Sequence, residues 1–215
     1  MKKYYLLLLL VFTGLQSFSQ GISFTVFAEP QLGWLSPNTK KVEAAGPMIG
    51  FNGGMNFDNY FAQNYAFSTG ASINNVNGKI KYKEPASLKG LDSTYTINTN
   101  DVVEYHTQYI NIPIGLKFKT IEIGYTRFYA HLGMDANINI KAKANIPREE
   151  NIDATKEIHW YNLGYYIGGG VEYSLGGTTA IVAGLTYKNG FLDITEAEDN
   201  KITTGNISLR MGILF

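Results

Sequence analysis

The sequence predicts an all-β protein, an eight-stranded antiparallel up-and-down transmembrane β-barrel with short periplasmic turns and longer extracellular loops. Three observations predict this fold. Apolar and polar residues alternate with a period of two in many segments after residue 20. The connections between these segments are alternately short and long. The chain also begins with the pattern of an export signal.

The N-terminus supplies that export pattern. Two lysines follow the first methionine, an apolar run occupies residues 4–12, and small residues two apart close the segment at Ser17 and Ser19. The run is shorter than the roughly 20 residues that a membrane-spanning helix needs, and the order of features is that of a cleaved signal peptide. We therefore predict a signal peptide over residues 1–19 and a β-barrel domain over residues 20–215.

Composition excludes several classes of protein. The chain has no cysteine, which excludes a disulfide framework. It carries 18 basic and 18 acidic residues, and removing the two lysines of the signal leaves 16 against 18. Such a balance provides no electrostatic footprint for nucleic acid, so no nucleic-acid partner is expected. The 23 glycines and the many tyrosines and phenylalanines suit a β protein with many turns.

The alternation is clearest in the last segment. One face carries Ile207, Leu209, Met211, Ile213 and Phe215, and the other carries Asn206, Ser208, Arg210 and Gly212. In a soluble sandwich the apolar face would point into a core, whereas in a small membrane barrel it points outward to lipid.

Seven further segments alternate in the same way. Residues 128–141 hold the pattern without a break, longer than an ordinary strand of about five or six residues, as expected of a tilted strand that projects beyond a bilayer. The others lie at about 22–35, 44–57, 62–80, 109–118, 159–175 and 179–191. The total is eight, an even number, as bacterial single-chain barrels require.

Connection lengths set the orientation. Short links are expected at residues 58–60, at 119–123 and at Gly176-Gly177, and longer polar links at 81–103, 143–157 and 192–201. Outer-membrane barrels have short periplasmic turns and extended outer loops, so both chain ends are expected on the periplasmic side.

Aromatic residues near the predicted strand ends are typical of membrane-interface girdles. They are Trp34, Phe57, Tyr60, Phe61, Phe118, Tyr125, Phe128, Trp160, Tyr161, Tyr173, Tyr187, Phe191 and Phe215. The terminal Phe215 continues the lipid-facing alternation and resembles the C-terminal signal that the barrel-assembly machinery reads. That machinery and outer-membrane lipid are therefore the expected partners during biogenesis.

Several stretches resemble the PorT-like outer-membrane β-barrel family. The clearest is YINIPIGLKF at residues 109–118, which looks like that family's isoleucine–proline strand with its Lys–aromatic ending. FYAHLG at 128–133, GGGVEY at 168–173 and YKNGFLDI at 187–194 follow in the expected order. The resemblance implies an integral barrel in the outer membrane of a Gram-negative bacterium. The family is defined by its barrel, so the resemblance implies no particular activity.

The alternation also predicts a polar network in the lumen. Its expected members are Glu29, Lys117, Arg127, His131, Asp135, Lys141, Glu172, Lys188 and Arg210. An eight-stranded barrel is only wide enough for side chains to fill it, and buried charges must be paired or hydrated. Five cations against three carboxylates leave a surplus of positive charge, which would hold water or an anion. Pro113 is expected to face the lumen at a local bulge, because proline cannot donate to the ladder.

Candidate catalytic groups do not converge. His106, His131 and His159 form no ligand cluster, and the acidic residues near the outer strand ends have no recognisable catalytic spacing. We therefore expect no enzyme activity, no metal site and no cofactor.

Three functions remain open from the sequence. The first is a structural or interaction barrel that presents loops 81–103 and 143–157 to an extracellular or envelope protein. The second is a narrow porin-like channel or a barrel associated with a secretion system. The third is a periplasmic lipocalin-like binder of lipophiles, in which the apolar faces would point inward.

Overall fold

The computed structural model describes residues 21–91, 93–195 and 201–215. The predicted signal peptide at residues 1–19 lies outside the described residues. Within the described ranges no helix is long and apolar enough to cross a membrane.

The described residues form eleven strands. They are β1 (Ile22–Pro37), β2 (Val42–Ala62), β3 (Tyr65–Tyr82), β4 (Ala86–Lys89), β5 (Thr94–Ile97), β6 (Val102–Lys119), β7 (Thr126–Ile146), β8 (Glu149–Asp153), β9 (Tyr161–Gly176), β10 (Thr179–Gly190) and β11 (Ile202–Leu214). The longest, β2 and β7, each have 21 residues. That is about twice the 9–11 residues that a strand needs to cross a bilayer.

Eight of these strands close into an antiparallel barrel. Each pairs with the next in the order β1, β2, β3, β6, β7, β9, β10 and β11. The first and last strands then pair with each other, with Thr25 opposite Leu214 and Pro37 opposite Ile202. The prediction of an eight-stranded up-and-down barrel is confirmed.

Three short turns lie at one end of the barrel, together with the first residue of β1 and the last of β11. We call this the inner end, and the opposite end the outer end. The turn predicted at residues 58–60 is wrong, because β2 continues to Ala62 and the chain reverses at Gln63 and Asn64. The other two turns lie at residues 120–125 and 177–178.

The connections at the outer end are partly structured. Residues 83–101 contain the β4–β5 hairpin, in which Leu88 pairs with Tyr95. Strand β8 folds back on the end of β7, with Lys143 opposite Asp153. The link between β1 and β2 is only residues 38–41, shorter than expected, because both strands run further than the alternation indicated.

The polarity of both barrel surfaces changes along some of the long strands, as β3 shows. Its outward side chains are apolar up to Ile73 and polar from Asn75, whereas its inward side chains are polar up to Asn74 and apolar from Val76. Strand β6 changes at the same level, between Ile110 and Gln108. The apolar band therefore ends here, and the strands continue beyond it into water.

Beyond the apolar band, the interior of the barrel holds an apolar core, which we call the cap. Its buried members are Leu35, Val42, Ile80, Tyr82, Leu88, Ile97, Val103, Tyr105, Ala142, Ala144, Ile146, Ile152, Ala154, Ile158, Ile194 and Ile202. These residues come from the barrel strands, from the β4–β5 hairpin and from β8 and the segments around it. The cap therefore packs the outer connections against the barrel wall.

Aromatic pairs lie at both edges of the apolar band. At the inner edge Phe24 contacts Phe57 and Phe215, with ring centroids 5.2 and 6.1 Å apart. At the outer edge Trp34 lies 6.2 Å from Tyr187. Such rings occupy the level of the lipid headgroups.

Tyr60 is an exception to the predicted girdle. It points inward and is buried, with the Lys119 ammonium 3.7 Å from its ring centroid. Its position follows from the continuation of β2 past residue 58.

The only register shift between β6 and β7 lies near the outer edge of the band. Gln108 pairs with Lys141 and Tyr109 with Asn139, so Ile140 is an extra residue in β7. Pro113 faces the lumen as predicted, but the expected bulge is absent there. Its pairing with Asp135 keeps register, and its carbonyl accepts a 3.0 Å hydrogen bond from Thr69 Oγ1.

Candidate functional site: the closed lumen

Inward positions of seven strands bring charged and polar side chains together inside the apolar band. Each of the following is at most 9% exposed: Glu29, Asp58, Lys117, His131, Asp135, Glu172, Lys188 and Arg210. Burial at this level is tolerable only where charges are paired and hydrogen-bonded. The contacts divide into three groups.

The group nearest the inner end centres on Lys117. Its ammonium lies 2.7 Å from Asp58 Oδ2 and 2.7 Å from Glu172 Oε1, so one cation bridges carboxylates from β2 and β9. Ser68 Oγ donates to Asp58 Oδ1 at 2.6 Å, and the ring of Tyr129 lies 5.3 Å from the ammonium. Five strands, β2, β3, β6, β7 and β9, are thereby joined across the lumen.

The second group joins the first and last strands. Arg210 Nε donates to Glu29 Oε1 at 2.5 Å, and Asn52 Nδ2 donates to Glu29 Oε2 at 2.6 Å. The guanidinium lies over the ring of Phe27, 4.3 Å from its centroid. These contacts lie where Pro30 in β1 leaves a gap in the β1–β11 ladder between Ala28 and Gln31.

The third group is looser and lies nearer the outer end. Lys188 Nζ is 3.5 Å from Asp135 Oδ2 and donates to Asn111 Oδ1 at 3.3 Å. Asn111 Nδ2 in turn donates to Asn137 Oδ1 at 2.9 Å. Strands β6, β7 and β10 are connected in this way.

Aromatic rings fill the space between the ionic groups. His131 packs edge-on against Tyr129 and Tyr166, with centroids 5.7 and 5.3 Å away, and its Nε2 is 3.2 Å from Thr186 Oγ1. A Cβ added at Gly168 would collide with the His131 ring. Glycine at this position therefore makes room for the ring.

The predicted network and the observed one differ in three residues. Lys141 is exposed on the outside of the barrel, because the extra residue Ile140 reverses the alternation of β7. Arg127 lies on the inward face but at the inner mouth, where its half-exposed guanidinium pairs with Glu122 of the turn. Asp58 had been assigned to a turn and joins the lumen instead.

The expected surplus of positive charge is therefore wrong. Among the described residues, the buried lumen carries four carboxylates against three cations: Glu29, Asp58, Asp135 and Glu172 against Lys117, Lys188 and Arg210. The sequence did contain the signal for Asp58. Phe51, Met55 and Phe57 alternate with Asn52, Asn56 and Asp58, which predicts that the strand continues.

Two small cavities lie within this packing. One of about 20 Å³ lies beside Asn74, Asn162 and Asn206, and another of about 10 Å³ lies beside His131 and Arg210. Each has room for about one water molecule. The described residues contain no group of three or more His, Asp or Glu side chains placed to hold a metal ion.

The cap closes the lumen at the outer end. The hydroxyls of Tyr82 and Tyr105 are 2.9 Å apart, and burial raises the pKa of both phenols. The carboxylate of Glu157 accepts a 3.3 Å hydrogen bond from the backbone N–H of Lys89, which joins the hairpin to the segment after β8. The lumen thus has a layer of ion pairs within the apolar band and an apolar layer above it, with a smaller apolar cluster of Tyr129, Ala180, Val182 and Leu214 at the inner end.

The sequence matches the family described as "outer membrane protein beta-barrel domain" over residues 16–196. The chain belongs to this family. It is an integral barrel of the Gram-negative outer membrane, so its inner end is periplasmic and its outer end extracellular. No curated protein matches the sequence.

Several solved structures of outer-membrane proteins are similar to the barrel. Neisserial surface protein A has a TM-score of 0.48 at 14% identity, covering 91% of this chain and 98% of that one. OprG from Pseudomonas aeruginosa has a TM-score of 0.48 at 11% identity, covering 93% and 97%. Ail of Yersinia pestis, in complex with the heparin analogue sucrose octasulfate, has a TM-score of 0.42 at 14% identity, covering 91% and 100%.

Proposed function

We propose that this outer-membrane protein is a closed structural and interaction barrel that presents its extracellular cap to a protein partner. It conducts no solute and catalyses no reaction. The observation that carries the proposal is the double closure of the lumen, by ion pairs within the membrane and by the apolar cap above it.

The surface that such a barrel offers is built on the cap. The β4–β5 hairpin and β8 lie within the segments predicted as presenting loops, 81–103 and 143–157. Leu88 and Ile152 are buried in the cap, while neighbouring polar side chains such as Ser87 point to water. An ordered surface binds a partner with less loss of conformational entropy than a mobile loop.

Two finer assignments belong to this proposal. The YINIPIGLKF stretch at residues 109–118 supports a PorT-like placement, from which no secretion role is carried over. Phe215 is proposed as the C-terminal assembly signal. Its ring is half-exposed at the inner edge of the apolar band, and its backbone exchanges hydrogen bonds of 3.1 and 2.8 Å with Phe24.

Planar-bilayer recording of the purified barrel tests closure. The wild-type protein should produce no unitary current steps. The double variant Arg210→Ala and Tyr166→Ala removes two large side chains from the lumen and is the positive control. Current steps from this variant would show that the barrel inserts into the bilayer and that the recording detects a small conductance. Reproducible steps from the wild-type protein would overturn closure and support the narrow-channel alternative.

Cysteine labelling tests presentation, because the chain contains no native cysteine. Ser87→Cys, in the hairpin, should react with a membrane-impermeant maleimide on intact cells. Thr178→Cys, in a periplasmic turn, should react only after the outer membrane is permeabilised. Protection of the hairpin cysteine on intact cells would contradict presentation of this surface.

A further inference from the structure

The outer wall of the barrel has a polar groove across β3, β6 and β7. It is lined by Asn75, Asn77, His106, Gln108, Lys141 and Asn145 and encloses about 410 Å³. Neither the lumen nor the cap uses these side chains, because they point away from the barrel interior.

The groove lies directly above the lipid-facing surface. Ile73, Ile110 and Ile140 are exposed on the same three strands immediately below it. Trp160, 68% exposed, stands beside it, and its carbonyl accepts a 2.7 Å hydrogen bond from the backbone N–H of Asn139. Tryptophan concentrates at the level of lipid headgroups. The groove is thus at the level of the outer-leaflet headgroups.

Positive charge is concentrated in this groove by the register shift at Ile140. With the alternation reversed, Lys141 and Lys143 point outward above the membrane. Lys143 Nζ donates to Asn151 Oδ1 at 2.8 Å, while the Lys141 ammonium is exposed and no ion pair or hydrogen bond engages it within the described ranges. A β-bulge that re-aims a side chain is a common feature of functional surfaces.

The acidic residues nearby are mostly paired. Lys79 and Glu104 form an ion pair of 2.5 Å at one edge of the groove. At the other edge Asp153 lies opposite Lys143 in the β7–β8 ladder, accepts a 3.0 Å hydrogen bond from the backbone N–H of Thr155, and interacts electrostatically with both Lys143 and Lys141. Lys141 is attracted by this carboxylate but forms no direct ion pair within the described residues, so its ammonium is available at the centre of the groove among amide side chains.

We propose that this groove binds the phosphorylated sugar headgroup of a glycolipid in the outer leaflet. Lys141, supported by Lys143, is a point-charge donor to phosphate, and the surrounding Asn and Gln side chains both donate to and accept from sugar hydroxyls. The height of the groove selects a membrane lipid rather than a soluble anion, because the acyl chains of a bound lipid would lie against the apolar band below.

Native mass spectrometry of the detergent-solubilised full barrel tests the proposal. The probes are diphosphorylated lipid A, the same lipid dephosphorylated, and inorganic phosphate. The wild-type barrel should retain one diphosphorylated lipid, whereas the dephosphorylated lipid should bind about thirtyfold more weakly, given roughly 1 kcal/mol for each of the two lysines near an anionic surface. Inorganic phosphate at millimolar concentration should not displace the lipid.

A charge-neutralising pair provides the variant. Lys141→Gln with Lys143→Gln should weaken lipid binding about thirtyfold, and Lys141→Arg should retain most of it. The matched control is Lys40→Gln with Lys201→Gln, which removes the same charge from exposed positions on the opposite wall. The mobility difference between boiled and unboiled samples checks that each variant is folded.

Three outcomes would overturn the proposal. These are equal binding of the two lipids, wild-type binding by the groove variant, and equal weakening by the control pair. Displacement by inorganic phosphate would show a free-anion site instead of a lipid site. None of these outcomes bears on closure of the lumen, which the bilayer recordings test separately.

Discussion

Replacing Lys117 with methionine should destabilise the barrel more than any other single substitution in the lumen. The lysine is buried between Asp58 and Glu172, and its ammonium is 2.7 Å from an oxygen of each. Methionine keeps an unbranched side chain of similar length but removes the charge. Two carboxylates would then face each other with no cation between them.

The magnitude follows from the two contacts. At an effective dielectric constant of about 20, unit charges 2.7 Å apart attract by ~6 kcal/mol, and most of this offsets the cost of taking three ions out of water. Removing one partner of a buried ion pair typically costs ~3–5 kcal/mol, because the remaining charge is left without compensation. Because Lys117→Met leaves two buried carboxylates without a cation, we expect it to lower the free energy of unfolding by an amount in the upper part of that range.

Equilibrium unfolding in urea, in phospholipid micelles, provides the assay, with the fluorescence of Trp34 and Trp160 as the probe. The triple variant Asp58→Asn, Lys117→Met and Glu172→Gln should recover at least the wild-type free energy of unfolding, because replacing a whole buried ionic group is often neutral or stabilising. A loss below about 1 kcal/mol in Lys117→Met, or a triple variant no more stable than it, would refute the reasoning.

Three further predictions concern the aromatic layer, the cap and the outer wall. Gly168→Ala should lower the free energy of unfolding in the same urea assay by ~1–3 kcal/mol, because its methyl group would overlap the His131 ring. Leu88→Ala removes a fully buried side chain from the cap and should lower the free energy of unfolding by ~2–5 kcal/mol. Limited proteolysis of intact cells would detect the weakened cap as cleavage in the β4–β5 hairpin. The hydrogen bond from Lys79 holds the pKa of Glu104 below its ordinary value of 4.5. The ion pair therefore stabilises the folded protein at neutral pH, and this contribution is lost as the pH falls through the lowered pKa. An NMR titration of the Glu104 carboxyl carbon measures the pKa, and Lys79→Met should return it toward 4.5. The ion pair should contribute less than ~1 kcal/mol to the free energy of unfolding, because both side chains are about one-third exposed.

The first two of these predictions have a control on the same strand. Gly169→Ala, on the lipid-facing side of β9, meets its first neighbour at 3.0 Å and should cost less than Gly168→Ala. Lys89→Ala, exposed beside Leu88, should leave the hairpin resistant to protease. Equal losses at the two glycines, or a resistant hairpin in Leu88→Ala, would contradict the packing described above. An unchanged Glu104 titration in Lys79→Met would show that the hydrogen bond does not set that pKa.

The alternation of apolar and polar residues predicts the strands and the closed barrel because the period of two is a direct consequence of the pleat. It predicts the inward position of Glu29, Asp135 and Arg210 for the same reason. Alternation alone does not predict whether a given face is in contact with lipid, water or the lumen. The sequence therefore predicts β3 as one strand but does not predict that the polarity of its two faces reverses between Ile73 and Asn75.

The predictions and the structure differ where a single residue changes the alternation of inward and outward side chains, or where a strand continues through residues that favour a turn. Ile140 is an ordinary apolar residue at an outward position, and nothing in its type indicates that it is extra, so Lys141 was expected inside. Asp58 and Asn59 resemble a turn because both residue types favour turns, whereas pairing with β1 and β3 keeps them in a strand. In both cases long-range pairing outweighs the local preference.

The strands continue from the apolar band into the cap, and both layers share the same hydrogen-bond ladders, with a one-residue shift at Ile140 in the β6–β7 ladder. A force applied to the β4–β5 hairpin would pass through Leu88 and the cap into the wall, and from there into the membrane-embedded part. In the interaction function proposed above, the cap would serve as a rigid extension of the wall and not as a flexible tether. A partner bound to the cap would be held at a fixed height and angle above the bilayer.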